Sequence, residues 1–397
     1  MPDFSLLEIA EPKVSGTFIF DAKTRRLGFR GRMTDDVRDA LLDFHVLVFD
    51  PPLNPLLGVP VLDPDGLQLT APFELLPPSV INALYDATKD VPQRQPEGYQ
   101  IAGPGKFTLR AHDLDLGATA GIVSAGAQPN PALASVGAKG ADIEVKLGGD
   151  LVMVSSAIVS KAGGDIRVEA GGRVEVGSEL ILPTSDLARG IYTSAGSDVT
   201  VLAQGDIFLN GSRIAAYDGG DITVKSFFGD VDAGSGGLSL QNVEQVRVTP
   251  DGRVEVLADY IPGSGILATT FSYGSAPVGN ITIDTPRGDI LARAGGVVQA
   301  AFNRTPTSGA AVKLTAGTKQ TDTDPGFEGK IDASRSGVIG GNVTLDATGP
   351  VVGVIFASGN INIDTPQSVN VTALAQGTAT VNAARISGRR VRGITAS

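Results

Sequence analysis

The chain has 397 residues, a formal net charge of −11, 51 glycines, aromatics at only 5%, and no cysteine or tryptophan. Its acidic balance argues against nucleic acid as a partner, and the absence of cysteine excludes disulfides and thiolate metal ligands. Glycine at this density beside 42% hydrophobic residues fits short strands joined by many tight turns better than a disordered chain or a compact helical enzyme.

No run approaches the ~18 apolar residues that a membrane helix needs. The opening Met1-Pro2-Asp3-Phe4 lacks the basic and apolar regions of a secretory signal peptide. Residues 1–100 read as a small α+β cap or docking module. In it, Thr17-Phe18-Ile19-Phe20-Asp21 and Arg26-Leu27-Gly28-Phe29-Arg30 alternate around residues 22–25 as a hairpin. Thr34 then caps a helix over Asp35 to Leu42, and Ser79 caps a second carrying Val80, Ile81, Leu84 and Tyr85. A strand is expected over Val46 to Phe49, and Val91 to Gly98 forms a linker.

From residue 101 to 397 the pattern changes to a solenoid. Short period-two strands follow Gly-Asp or Gly-Asn corners, as in Gly164-Asp165-Ile166-Arg167-Val168, Gly220-Asp221-Ile222-Thr223-Val224 and Gly359-Asn360-Ile361-Asn362-Ile363. Asp198 and Asp206 are about eight residues apart, and Asp198 and Asp221 about twenty-three. Strands of about five residues closing a coil every twenty-odd residues predict a parallel β-coil with three faces. Ile222 and Val224 then face the core, Thr223 and Lys225 face water, and the corner Asp or Asn bonds local backbone amides. An array of antiparallel β-sandwiches is the alternative fold, because it also repeats short strands at this interval. Protruding loops are expected at 127–134, 182–194, 260–279, 301–308 and 318–329. No capping helix follows the last strands, so the C-terminal coil is expected to be open to continuation or end-to-end self-association.

The repeats, with Gly-Gly-Asp-Ile-Thr-Val at 219–224 and Gly-Asn-Ile-Asn-Ile at 359–363, resemble the shaft repeats of filamentous-haemagglutinin-like exoproteins and autotransporter passengers over about residues 103–384. The resemblance implies a right-handed parallel β-helix, secreted or at the cell surface, used in adhesion to cell-surface glycans or matrix. The family's export domain is not recognisable in residues 1–100.

Parallel β-helices also carry polysaccharide lyases and hydrolases, which need carboxylates gathered from neighbouring coils. The candidates here are few. His112 lies beside Asp113 and Asp115, yet strict alternation would turn His112 away from both carboxylates. Asp230 and Asp232 form a carboxylate pair expected on one solvated strand face, and Asp322 with Asp324 offers oxygen ligands without the spacing of a calcium loop. Arg287-Gly288-Asp289 spells an integrin-type tripeptide but falls in register with the corner repeat. Arg385, Arg389, Arg390 and Arg392 make a short basic cluster that reads as a solvated tail. These readings name no catalytic residue, metal ligand or cofactor and leave the binding residues unassigned. A carbohydrate-active β-helix, or a subunit of an assembled fibre or toxin particle, stands as the alternative to a non-enzymatic adhesive segment.

Overall fold

The computed structural model describes residues 14–21, 26–33, 98–117, 119–126, 139–177, 189–235, 240–249, 253–262, 264–387 and 390–393. The chain falls into two units, Met1–Gln95 with Glu179–Asp186, and Pro96–Ser178 with Leu187–Ser397. In the first unit, Val14–Asp21 and Arg26–Met33 pair antiparallel, with Phe18 opposite Phe29, so the expected hairpin forms with strands longer than the segments 17–21 and 26–30. The helices expected over 35–42 and from residue 79, and the strand over 46–49, lie outside the described residues.

The second unit is a parallel β-helix. Its first face opens with Gly98–Ile101 and Gly121–Ser124, its second with Gly105–Ala111 and Ala141–Leu147, and its third with Leu114–Gly117 and Leu151–Met153. Register on the second face runs Phe107, Ile143, Ile166, Val199, Ile222, Ile281, Val312, Val343, Ile361, Ala379, which defines ten coils. All these ladders are parallel, which rules out the antiparallel sandwich alternative.

Alternation explains why these residues stack. In Ile222–Ser226 the residues Ile222, Val224 and Ser226 are buried while Thr223 is exposed, and Ile281–Thr285 repeats the pattern one coil on. Inward Ile, Val, Leu and Ala from all three faces form one continuous core, from Leu116 and Ile122 to Ala373 and Ala375. β-Branched side chains suit this setting, because each packs on its equivalent in the next coil and loses little rotamer freedom.

The corners carry the repeat. Entering the second face, the Asp165 amide donates to Asp142 Oδ1 at 3.0 Å, Asp198 to Asp165 at 3.0 Å, Asp221 to Asp198 at 2.7 Å and Asn280 to Asp221 at 2.7 Å. The series resumes with the Asn360 amide donating to Asn342 Oδ1 and the Thr378 amide to Asn360 Oδ1. The expected local turn bonds are thus corrected: each of these side chains reaches along the stack to the next coil. The number of residues spanned is 23, 33, 23 and 59 in the first series and 18 in the second, because insertions lengthen coils without disturbing the ladder.

Glycine precedes most of these corner residues, Asp165, Asp221, Asn280, Asn342 and Asn360, because neighbouring coils touch there. A Cβ at Gly279 would lie 1.6 Å from the Gly220 carbonyl oxygen, a clash no rotamer relieves. In the last coils the strands Ile331–Gly340, Val351–Ala357 and Ile361–Ala375 run on from one face to the next.

Two loop expectations change. Within 182–194, Gly190–Thr193 is a first-face strand; within 260–279, Gly265–Thr270 is another. The insertion before Gly265 is instead an antiparallel hairpin, Leu240–Val248 with Val254–Pro262. It lies on the outside of the first face, where Val243 and Ile261 are buried against Val159, Tyr192, Ala215, Leu267 and Phe271. The Val246 amide donates to the Lys161 carbonyl at 2.7 Å, and Lys161 Nζ pairs with Glu244 at 2.5 Å. The outward ladder under the hairpin is apolar, which is why this face needs a cover. The loop expected at 127–134 lies outside the described residues.

Candidate functional site

Each coil turns from the second face to the third at a short corner. The seventh coil spends residues 317–330 there, between the strands Ala311–Ala316 and Ile331–Gly340. The backbone of this loop is held at both ends and in the middle. Thr318 and Phe327 form an antiparallel bridge with N···O distances of 3.0 and 2.9 Å, and Thr318 Oγ1 donates to the Pro286 carbonyl of the coil before at 2.6 Å. Thr348, one coil later, donates from Oγ1 to the Phe327 carbonyl at 2.6 Å and accepts from the Gly329 amide at 2.9 Å. Arg287 Nη2 donates to both carboxylate oxygens of Asp324, at 3.0 and 2.9 Å, and Asp324 Oδ1 in turn accepts from the Gly326 amide at 2.9 Å. The turn demands glycine at Gly326, whose φ is +75°.

The loop leans toward the C-terminal coils and closes one side of a groove of about 550 Å³. Its floor comes from the same corner of the ninth and tenth coils, at Asp364, Pro366 and Asn382. Its wall carries Pro325, Phe327 and Glu328. Phe327 keeps 39% of its surface exposed although its backbone is fixed. Lys319 Nζ lies 3.6 Å from Asp364 Oδ2 across the groove. An exposed aromatic ring on a fixed backbone, in the same groove as carboxylates and amides, is an arrangement for a ligand with apolar and hydrogen-bonding edges.

The residues singled out in the sequence are distributed differently. His112 Nδ1 lies 3.0 Å from Asp113 Oδ2, contrary to the expected divergence, because both occupy the bend after Gly105–Ala111, where strand alternation does not apply. The Asp150 amide, and then His112, hold the Asp113 carboxyl below its usual range. Asp115 does not join them; its Oδ1 accepts from the Gly117 amide at 2.8 Å.

Asp230 and Asp232 do not share a solvated face either. Asp230 stands in a corner ladder, its Oδ1 accepting from the Asp289 amide at 2.7 Å, and burial followed by the neighbouring Asp289 and Asp206 charges pushes its carboxyl up. Asp232 is buried on the third face and pairs with Arg293 at 3.0 Å. The chain reverses outlook between them because Asp230 precedes the strand Val231–Asp232.

In Arg287-Gly288-Asp289, Arg287 is engaged by Asp324, and Asp289 accepts from the Lys330 amide at 2.9 Å while its other oxygen lies 3.3 Å from Lys330 Nζ. The tripeptide is built into the corner. Asp324 is committed to Arg287 and Asp322 is exposed. Among the described residues no group of three or more His, Asp or Glu side chains is placed to hold a metal ion. Of the basic cluster, Arg385 lies on the exposed strand Ala379–Ile386, Arg390 and Arg392 lie in Arg390–Gly393, and Arg389 is outside the described residues.

The sequence pointed to the loop at 318–329 by its length, but not to the groove. Asp364 and Asn382 belong to later coils and look like ordinary outward strand positions.

No protein-family model matches this chain, and no curated protein and no solved structure matches it.

Proposed function

We propose that the chain is a non-enzymatic, adhesive β-solenoid, a segment of a large exoprotein that displays loops at a secreted or cell-surface location. The observation that supports this reading is the lateral groove. Rigid stacked coils carry a corner loop whose hydrogen bonds keep Phe327 out toward solvent, as a projecting contact site requires. The Gly-Asp and Gly-Asn repeats that resemble exoprotein shafts add to it.

A second reading, a carbohydrate-active β-helix, is favoured by one feature: Glu328 and Asp364 line the same groove. Two measurements test the proposal. Surface labelling and fractionation of the source cells should find the protein outside the cytosol, and incubation with soluble polysaccharides should release no new reducing or unsaturated ends. A purely cytosolic protein, or product release, would contradict the adhesive reading.

A further inference from the structure

The groove beside the 318–329 loop carries polar side chains that the fold does not use. Gln320, Glu328 and Asn382 line it and their side chains make no hydrogen bond to another described residue, whereas Thr318, Thr348 and Asp324 are spent on holding the loop. Two amides and a carboxylate thus present donors and acceptors to whatever occupies the groove. Between them stands the ring of Phe327, with Pro325 on the wall and Pro366 on the floor.

The apolar lining consists of rings and the small methyl groups of Ala383 and the threonines; no Val, Leu, Ile or Met contributes. The groove is open rather than enclosed and no long aliphatic side chain lines it, so the anchoring side chain of a peptide finds no aliphatic recess to fill. Electrostatics narrow the choice further. Glu328 and Asp364 bring two negative charges, and the single cation, Lys319, already faces Asp364. An anionic ligand would meet net repulsion.

A pyranose meets all these conditions. Its axial C–H face is weakly positive and stacks on the negative face of an aromatic ring, and its hydroxyls are bracketed by amides and carboxylates. We propose that the groove between Phe327 and the Asp364–Asn382 corner binds an uncharged pyranose oligosaccharide. The inference deepens the adhesive reading, and rests on it in one point, that the sugar is held without being cleaved.

The test uses the full chain and calorimetric titration with three tetrasaccharide probes: cellotetraose, chitotetraose, and a sulfated heparin fragment. At least one uncharged probe should bind, and the sulfated one should not. Phe327→Ala should weaken that binding by roughly tenfold, and Phe327→Tyr, which keeps the ring, should restore it. Thr282→Ala, on the second face of the sixth coil, should leave it unchanged. Circular dichroism identical to the parent shows that the variants are folded; the exposed Phe327 side chain is outside the core, so its loss is tolerated.

Failure of both uncharged probes to bind, equal affinity of Phe327→Ala, or binding of the sulfated probe or of a random peptide pool alone would overturn the assignment. Reducing-end analysis of the same samples separates the two proposals. Binding with cleavage keeps the ligand and removes the adhesive reading, whereas extracellular location without sugar binding keeps the adhesive reading and removes the ligand.

Discussion

Asp230 shows what stacking does to a single residue. Its carboxylate accepts the Asp289 amide of the next coil, while its own amide donates to Asp206 of the coil before, whose charge acts on it alongside that of Asp289. Burial and these two acids raise its pKa, so the folded state binds the proton more tightly than the unfolded chain, whose carboxyl titrates near 3.8. Ionisation therefore costs stability, a cost absent below the unfolded value and growing as pH rises through the folded one. Asn already fills the equivalent position of the other ladder at 280, 342 and 360, keeping the same acceptor. Asp230→Asn is expected to raise the thermal midpoint at pH 7 and to lose that advantage below about pH 4. Thermal unfolding followed across pH checks this, and an unchanged or lower midpoint at pH 7 would contradict it.

The same residues show where sequence reading stops. Gly-Asp and Gly-Asn pairs identify a corner correctly, but the partner of each side chain lies between 18 and 59 residues away, so no fixed spacing could reveal it. His112 departs from strand alternation for a related reason. Alternation predicts direction inside a strand and says nothing about the bend that joins two strands.

At the scale of elements, the strands and the length of an insertion such as 318–329 are legible, but not the structure an insertion adopts. Ile222–Ser226 and Ile281–Thr285 follow from alternation alone. The hairpin Leu240–Pro262 was missed, because its strands have no Gly-Asp corner and do not join the repeat. The apolar outward ladder it covers, Val159, Tyr192, Ala215 and Leu267, was the signal that this face needs a partner.

The tip of the 318–329 loop depends on the Arg287–Asp324 pair, and this makes it testable. Arg287 and Asp324 are each about one-third exposed, so their pair contributes roughly 0.2–1 kcal/mol. Arg287→Ala should accordingly move the global midpoint little. It should, however, release the loop tip, since Asp324 also orders the turn through the Gly326 amide. Limited proteolysis is the appropriate measurement: cleavage within 319–326 should appear early in the variant while the coils stay intact. Equal resistance in both proteins would show that the Thr318 and Thr348 bonds suffice without the arginine.

The whole second unit is a stack in which distance depends on coil number and hardly on residue number. Its interior is one core of small and branched aliphatics, which is why aromatic poverty and glycine abundance were informative before any fold was known. The groove was not legible at that level. It arises because an insertion in the seventh coil overhangs the ninth and tenth, a proximity created by stacking alone.

The most direct test of this account is an electron-spin distance between two labels on the outside of the second face. The chain has no cysteine, so Thr223→Cys and Thr380→Cys give two unique attachment points without removing any native thiol. Register places these positions five coil steps apart, through Thr282, Lys313, Thr344 and Asn362. At the spacing of hydrogen-bonded strands the separation is ~24 Å, broadened by the label arms. Replacing the second label site by Thr344→Cys, three steps away, should shorten it to ~14 Å. Distances in that ratio would support parallel stacking; a pair of distances unrelated to coil number would contradict it.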